Sequence, residues 1–304
     1  MLRKIIAGIG RISAKHSGVY ALYLGNTTIS LAQIADSKVT LLRQTEYSGG
    51  EWQQAVRHML SVVASNSSLH LVLSPDFYQL VQLDKPALSE SEMLQALPWQ
   101  VKDLVSIAPE DIVADYIDLP GYNTSQSKIN VVVASQTWLK QLVQTIQSAG
   151  QQLLTIQPEE WLASQLITSS TQATMLVIHQ PDQEVLIQII RDNLLYFSRR
   201  TRGLSRLHLS SAAELQGGEL DRLQLELQRS MDYFESQLKQ PPVRDIRLLM
   251  DQAETVKDVL NRSGFSRVDV LHPNNVATGV QPQQLIHGWP AVAVLSSAVS
   301  EPAR

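Results

Sequence analysis

Residues 173–202 read ATMLVIHQPDQEVLIQIIRDNLLYFSRRTR. Three runs rich in β-branched and aromatic residues are parted by the turn pairs Pro181-Asp182 and Asp192-Asn193. Such runs bounded by turn formers predict three consecutive antiparallel strands. Working outward, the same triplet occurs once before, in VYALYLGNTTISLAQI (19–34) and KVTLLRQTEY (38–47), with turns at Gly25-Asn26 and Asp36-Ser37. After the first triplet comes EWQQAVRHMLSVVAS (51–65), with Trp52, Val56, Met59 and Val63 at helical spacing, then the apolar run LHLVLS (69–74). After the second comes ELDRLQLELQRSMDYFESQL (219–238), where Leu220, Leu223, Leu227, Met231, Phe234 and Leu238 step by three and four. RDIRLLM (244–250), AETVKDVLNRSG (253–264) and RVDVLHP (267–273) then read as strand, helix and strand. The pattern βββαβα(β) is written twice.

A duplicated α/β unit of this kind predicts the actin-like (ribonuclease H-like) two-lobed fold. Between the repeats lies a block with its own logic. FYQLVQL (77–83) reads as a strand, and PALSESEMLQALPWQVKDLV (86–105) as a helix opened by a Ser89–Glu92 capping box. Met93, Leu97, Val101, Leu104 and Val105 form its stripe, and Pro98 predicts a kink or break. IVADYIDLP (112–120) and KINVVVAS (128–135) follow as strands, then a helix stopped at Gly150 and the strand QQLLTIQP (151–158). The expected organisation is a basic leader (1–18), a first lobe (19–74), an inserted α/β subdomain (75–157) and a second lobe (158–304).

Composition excludes several function classes. The 304 residues are 44% hydrophobic and 18% charged, with a net charge of −4, so no global field draws the chain to nucleic acid or anionic lipid. Cysteine is absent, which removes disulfides, a thiolate nucleophile and cysteine-ligated zinc or iron–sulfur sites. The seven histidines are scattered without an i, i+4 pair, and no catalytic metal site is expected. There is no G-x-S-x-G elbow, and GIGRIS (8–13) lacks the third glycine of a dinucleotide fingerprint. The longest apolar run, around Pro290–Val294, is far short of the roughly 20 residues of a membrane helix. In the leader, Leu2, Ile5, Ile6, Ile9 and Ile12 share a stripe beside Arg3, Lys4, Arg11 and Lys15. It reads either as a weak membrane-surface helix or as a frayed leader, since Gly8 and Gly10 disfavour helix. Glu110, Asp111, Asp115 and Asp118, in and beside a strand, read as a solvated face rather than a carboxylate dyad. Arg191, Arg199, Arg200, Arg202 and Arg206 read either as a docking surface for an acidic partner or lipid headgroups, or as a charged edge that prevents strand-to-strand association.

Three longer stretches carry a resemblance. LQRSMDYFESQLKQPPVRDIRLLM (227–250), LDKPALSESEMLQALPWQVKDLVSIAPEDIVADYIDL (83–119) and INVVVASQTWLKQLVQTIQSAGQQLLTIQPEEWLASQL (129–166) resemble, in order and spacing, PilM-type proteins, the actin-like components of type IV pilus assembly. The resemblance runs from about Val19 to about Ala298. Within the family the chain is most similar to the divergent member of the mannose-sensitive haemagglutinin (MSHA) pilus system.

In nucleotide-binding members of that family the first turn reads Asp-x-Gly, followed by hydroxylated residues and a Lys. On this sequence the run is YLGNTTIS (23–30): Gly25 and Thr27 match, whereas Tyr23 stands for the acid and Ser30 for the Lys. The second Asp-x-Gly falls on His179-Gln180-Pro181, and the adenosine-side Gly-Gly pair on Met250-Asp251. The small subdomain that forms one wall of the pocket is reduced to a short link near 203–219. The resemblance therefore implies a degenerate nucleotide site: no ATP hydrolysis, no cofactor, no metal, no catalytic residue. It also implies a cytoplasmic scaffold at the inner face of the inner membrane. That scaffold would bind the cytoplasmic N-terminal tail of a bitopic PilN-like (here MshJ-like) partner, in a groove between the first lobe and the inserted subdomain. Leu94, Leu97, Val101 and Leu104 would serve as groove wall or core, and motor or platform proteins as further contacts. Two alternatives stay open: an active actin-like ATPase, and a GspL-like cytoplasmic domain of type II secretion. Proteins of the latter kind carry a transmembrane segment and periplasmic domain, which this sequence, ending in EPAR, does not include.

Overall fold

The computed structural model describes residues 18–36, 38–121, 127–272, 277 and 280–300. The leader read over 1–18 lies outside them except for Gly18. The chain divides into two compact units: residues 1–118, 124–162 and 290–304 form unit 1, and residues 119–123 and 163–289 form unit 2.

Unit 1 begins with the antiparallel meander β1 (Val19–Leu24), β2 (Thr28–Ala35) and β3 (Lys38–Glu46). Helix α1 (Trp52–Leu60) crosses to β4 (Ser68–Leu73), which pairs parallel to β1. The chain then leaves the sheet through β5 (Gln79–Asp84), α2 (Glu90–Val101), β6 (Ile112–Leu119) and β7 (Lys128–Ser135). It returns by α3 (Gln136–Ser148) to β8 (Gln152–Pro158), parallel to β4. The strand order is β3-β2-β1-β4-β8, with a separate small sheet β5-β7-β6.

This return corrects the expected inserted subdomain. β8 is the outer strand of the core sheet, and Leu139, Leu142 and Ile146 of α3 pack into the core of Leu22, Leu69, Leu71, Val56 and Met59. The inserted body therefore consists of β5, α2, β6 and β7, and α3 and β8 belong to the lobe. In the inserted body α2 lays Met93, Leu97 and Val101 on Ile112, Ala114, Ile129, Val131 and Val133. Glu92 reaches back to the Ser89 N–H at 2.8 Å, as the capping pattern predicts. The break expected at Pro98 does not occur there: the helix runs through it to Val101. The missing N–H leaves the Leu94 carbonyl without its i+4 donor, but the fully buried Leu97 and Val101 hold the last turn down.

Unit 2 repeats the plan. β9 (Thr174–Ile178), β10 (Val185–Arg191) and β11 (Leu194–Thr201) form the meander. The turn before β11 has φ 53° at Asp192 and 61° at Asn193, the paired left-handed geometry of a two-residue hairpin that these residue types tolerate. Then come α4 (Asp221–Ser236), β12 (Asp245–Leu249), α5 (Ala253–Arg262) and β13 (Val268–Val270). The order β11-β10-β9-β12-β13 is the counterpart of the first sheet, strand for strand. Leu220, Leu223, Leu227 and Phe234 cover Met175, Val177, Ile187 and Ile246. Residues 203–219 hold a 3-10 turn (Leu207–Leu209) and a helical turn (Ala212–Glu214) that merges through Leu215–Glu219 toward α4, with no strand.

The last helix, α6 (Pro282–Ser300), is one the pattern did not announce. Leu285, Trp289, Ala291, Val292, Ala293 and Leu295 are wholly inaccessible. From Pro290 it counts with unit 1, so the reading of 158–304 as one lobe is corrected at its end. Among the described residues no helix is long and apolar enough to cross a membrane.

Candidate functional site

In both units the C-terminal ends of the first and fourth strands lie side by side, the position at which open α/β sheets present their sites. The Ser74 N–H donates to the Leu24 carbonyl at 3.0 Å in unit 1, and the His179 N–H to the Leu249 carbonyl at 2.9 Å in unit 2.

In unit 1, Tyr23, Gly25, Thr27 and Ser30 come together on the β1–β2 hairpin, with Tyr23 opposite Ser30 and beside Val72. Tyr23 is among the largest fully buried side chains. The Gly25 N–H is used within the turn, donating to the Thr28 carbonyl at 2.8 Å. Glycine is needed at 25 because a Cβ would meet that carbonyl oxygen at 2.9 Å. Ser30, at the lysine position, is fully buried, and its hydroxyl has no hydrogen-bond partner among the described residues. Two neighbours were not singled out from the sequence. The Tyr47 hydroxyl donates to the Gly25 carbonyl, and Asp76 accepts from the Ser74 hydroxyl at 2.8 Å. Burial, reinforced by the Asp76 carboxylate, pushes the Tyr47 phenol far above its usual range, so it stays a donor. The fixed charge beside this turn is negative.

In unit 2, His179 directly follows β9 and is almost fully buried, with Nε2 3.0 Å from the Ser205 carbonyl, to which it donates. Burial holds its pKa below the ordinary histidine value. The Ser205 bond and the nearby Asp251 and Asp182 act against that, while His208, with its ring 5.6 Å away, adds to it. Gln180 to Gln183 form a turn closed by a 3.0 Å hydrogen bond, with Pro181 at its second position and Asp182 (φ 62°) at its third. Met250 is buried within the core of the unit, and Asp251 is half-buried. The left-handed residue of this last turn is Gln252, at φ 53°. A further group had no sequence signal. The Glu184 carboxylate accepts the Gly203 N–H at 2.9 Å and the Leu204 N–H at 3.0 Å. Gly203 sits at φ 80°, a conformation glycine adopts without strain.

The arginine cluster is largely engaged. Arg199 pairs with Glu226 at 2.5 Å, Arg200 donates to the Glu184 carbonyl at 3.1 Å, and Arg191 donates to Gln240 at 3.0 Å. Arg202 and Arg206 are exposed, with no ion pair among the described residues.

The structure separates the four groove candidates and corrects one member of the acidic cluster. Leu97 and Val101 are fully buried on their own sheet, Leu94 is half-buried, and only Leu104, 56% exposed, faces water. Asp111 accepts from Ser135 and from the Thr137 N–H, which together hold its carboxyl below the usual range, the Ser135 hydroxyl most. Asp118 pairs with Lys85 at 2.6 Å. Asp115 is not part of a solvated face: it is 8% exposed.

Asp115 instead lines a small pocket within unit 1. The core lobe contributes Leu73, Leu139, Gln157 and Pro158. The inserted body contributes Val113, Ala114, Asp115, Val132 and Ala134, and Tyr78 stands at its entry just before β5. β8 is the outer strand of its sheet and β6 the outer strand of the small sheet, and residues of both line the pocket. The Tyr78 hydroxyl donates to the buried Glu160 carboxylate.

No protein-family model matches the sequence, and no curated protein sequence matches it. Solved structures do. The PilM–PilN type IV pilus biogenesis complex aligns with TM-score 0.68 and 14% identity, covering 95% of this chain and 100% of that one. A Bacteroides thetaiotaomicron protein with an actin-like ATPase fold and unknown function aligns with TM-score 0.52 and 13% identity, over 91% of this chain and 99% of that one. The cytoplasmic domain of EpsL from Vibrio cholerae, an inner-membrane component of type II secretion, gives TM-score 0.49 and 11% identity over 94% and 97%. The chain has the actin-like fold, in a version similar to that of the PilM–PilN complex.

Proposed function

We propose that this chain is a scaffold of a type IV pilus assembly machine, an MshI-like protein of the MSHA kind, that holds a partner's tail and does not turn over ATP. The partner would be a bitopic inner-membrane protein, PilN-like or MshJ-like, and the segment held its cytoplasmic N-terminal tail. Motor or platform proteins would be further contacts, and the chain would work at the cytoplasmic face of the inner membrane.

The observation that carries the reading is the pocket between β6 and the end of β8. It offers Leu73, Val113, Val132, Ala134 and Leu139 as apolar walls beside the outer strands β6 and β8. Extended peptides are held by this combination, with backbone pairing at an edge and alternate side chains in pockets. Similarity to a structure described as a PilM–PilN complex supports the kind of partner.

The residues at the family's nucleotide positions do not fit a magnesium-bound nucleoside triphosphate. Tyr23 offers no carboxylate to a metal, Ser30 no cation, and Pro181 no N–H. Met250 fills core space, and the Gly203 and Leu204 N–H groups already hold Glu184. Asp76 adds a negative charge beside the first turn, where a phosphate would need a positive one.

Calorimetry with a synthetic peptide of the cognate PilN-like tail tests this. Saturable binding without nucleotide, lost in Ala134→Leu, which fills the pocket, is the expected result. Binding unaffected by that change, or none at all, contradicts the pocket's role.

A further inference from the structure

We infer that unit 2 carries a docking surface of its own, a basic stripe along the seam of β11 and α4 that takes an acidic segment of a partner protein. The stripe shares no residue with the tail pocket and does not depend on it.

Two contacts align the elements. The Arg222 guanidinium lies against the Gly203 backbone, so close that a Cβ there would come within 2.2 Å of one of its nitrogens. One helical turn further on, Glu226 of α4 meets Arg199 of β11 at 2.5 Å. Strand and helix therefore run side by side in opposite directions, and Arg202, just past β11, falls at the Arg222 end. On α4, Arg222, Leu225 and Arg229 stand at i, i+3 and i+7, which puts them on one face. All three are exposed, Leu225 at 49%. The helical rise separates the two arginines by about 10 Å.

Charge gives the stripe its sign. Glu226 is buried and shared between Arg199 and Arg229, the second at 2.9 Å. One carboxylate between two guanidinium groups leaves positive charge over, and the exposed Arg202 and Arg222 add to it. The chain as a whole carries −4, so the stripe runs against the general sign. A charged guard would account for arginines on β11, the outer strand of its sheet. It does not account for Arg222 and Arg229 on the helix, or for the exposed leucine between them.

The surroundings decide the partner. Asp221 and Asp232, both exposed, bound the helical stretch at its two ends. A bilayer or a nucleic acid presents negative charge over a broad front and would meet those carboxylates as well. A single protein segment is narrow enough to lie between them. Arginine also matches a carboxylate fork to fork. The fitting ligand carries two acidic residues about 10 Å apart with an apolar residue between them, the spacing i, i+3 or i+4, and i+7 of a helix.

The test is selection from a displayed random dodecapeptide library on the full chain and on its charge reversal, Arg222→Glu/Arg229→Glu. The wild type is expected to enrich peptides with two acidic residues flanking an apolar one. The reversed variant should lose those peptides and enrich Lys and Arg instead. Peptides held by the tail pocket are told apart because they bind both targets alike. In a stripe-dependent binder, replacing both acidic residues with Gln should weaken affinity at least about tenfold. That readout needs no variant of the protein. If no selected peptide depends on Arg222 and Arg229, or if the dependent peptides lack acidic residues, the inference is overturned. Flotation with phosphatidylglycerol vesicles forms the second arm. Co-flotation that the reversal abolishes, without dependent acidic peptides, makes the stripe a lipid surface and likewise overturns it.

Discussion

Restoring the acid at position 23 asks most sharply whether that position faces a ligand or belongs to the core. Tyr23 is wholly inaccessible, cross-strand from Ser30 and beside Val72. Tyr23→Asn and Tyr23→Asp both remove a buried aromatic ring, a change of the kind that costs about 3–5 kcal/mol. The aspartate adds the desolvation of its charge. Full burial raises a carboxyl pKa by up to about 3–5 units, and at about 1.36 kcal/mol per unit that is a further 4–7 kcal/mol once the unfolded chain is ionised. Together these reach or exceed the stability of many domains, about 5–15 kcal/mol. The pH dependence separates the two contributions. A folded pKa raised above about 3.9 means the folded state holds its proton more tightly, so stability is lost as pH rises from the unfolded to the folded value. The Asp and Asn variants should therefore unfold at similar urea concentrations near pH 4 and diverge toward neutrality, followed by tryptophan fluorescence. If Tyr23→Asp stays within about 1 kcal/mol of Tyr23→Asn from pH 4 to 8, position 23 reaches water or a cation. The core assignment would then be wrong.

Three further outcomes follow from other sites. Burial lowers the pKa values of His70 and His179 below 6.5, so their contribution is complete above that value and is lost as pH falls through it. The urea midpoint should drop between pH 7 and 5, and replacing both with Asn should flatten that slope. Gly203→Ala places a Cβ at φ 80°, 2.2 Å from an Arg222 nitrogen that can swing away, so the backbone penalty of about 1–2 kcal/mol should remain when Arg222→Ala is added. Glu184→Ala strips two backbone N–H groups of their acceptor and should destabilise unit 2 by about 1–3 kcal/mol. An equal effect from Glu184→Gln would point to packing rather than charge-assisted bonding.

Local chemistry made the duplicated fold legible. Asp192-Asn193 and the Gly25 turn mark the meanders, helical stepping marks α4, and Gly150, at φ 81°, ends α3. What stayed hidden depends on distant partners. The pairing of β8 with β4 spans the whole inserted body, so nothing within QQLLTIQP says which sheet it joins. α6 is apolar on all sides and carries Pro290, so neither an amphipathic period nor an uninterrupted run announces it. Leu97 and Leu104 share a stripe in sequence, yet α2 ends at Val101, which leaves one residue in the core and the other in water. Asp115 reads like its acidic neighbours until β6 is seen to turn that side chain toward the pocket. At the candidate nucleotide positions the residue identities were visible one by one. The Tyr47 and Glu184 bonds that close each turn were not, since they join positions 22 and 19 residues apart.

The central claim is that this actin-like chain works without nucleotide. Titration of the purified protein with MgATP, by calorimetry and by thermal unfolding at millimolar nucleotide, tests it most directly. A ligand of the folded state at 100 times its Kd adds about 2.7 kcal/mol of stability, which thermal unfolding would register. The account predicts no heat of binding and no shift in Tm. Saturable, magnesium-dependent binding with a rise in Tm would contradict it and would make the chain a working nucleotide-binding member of its fold.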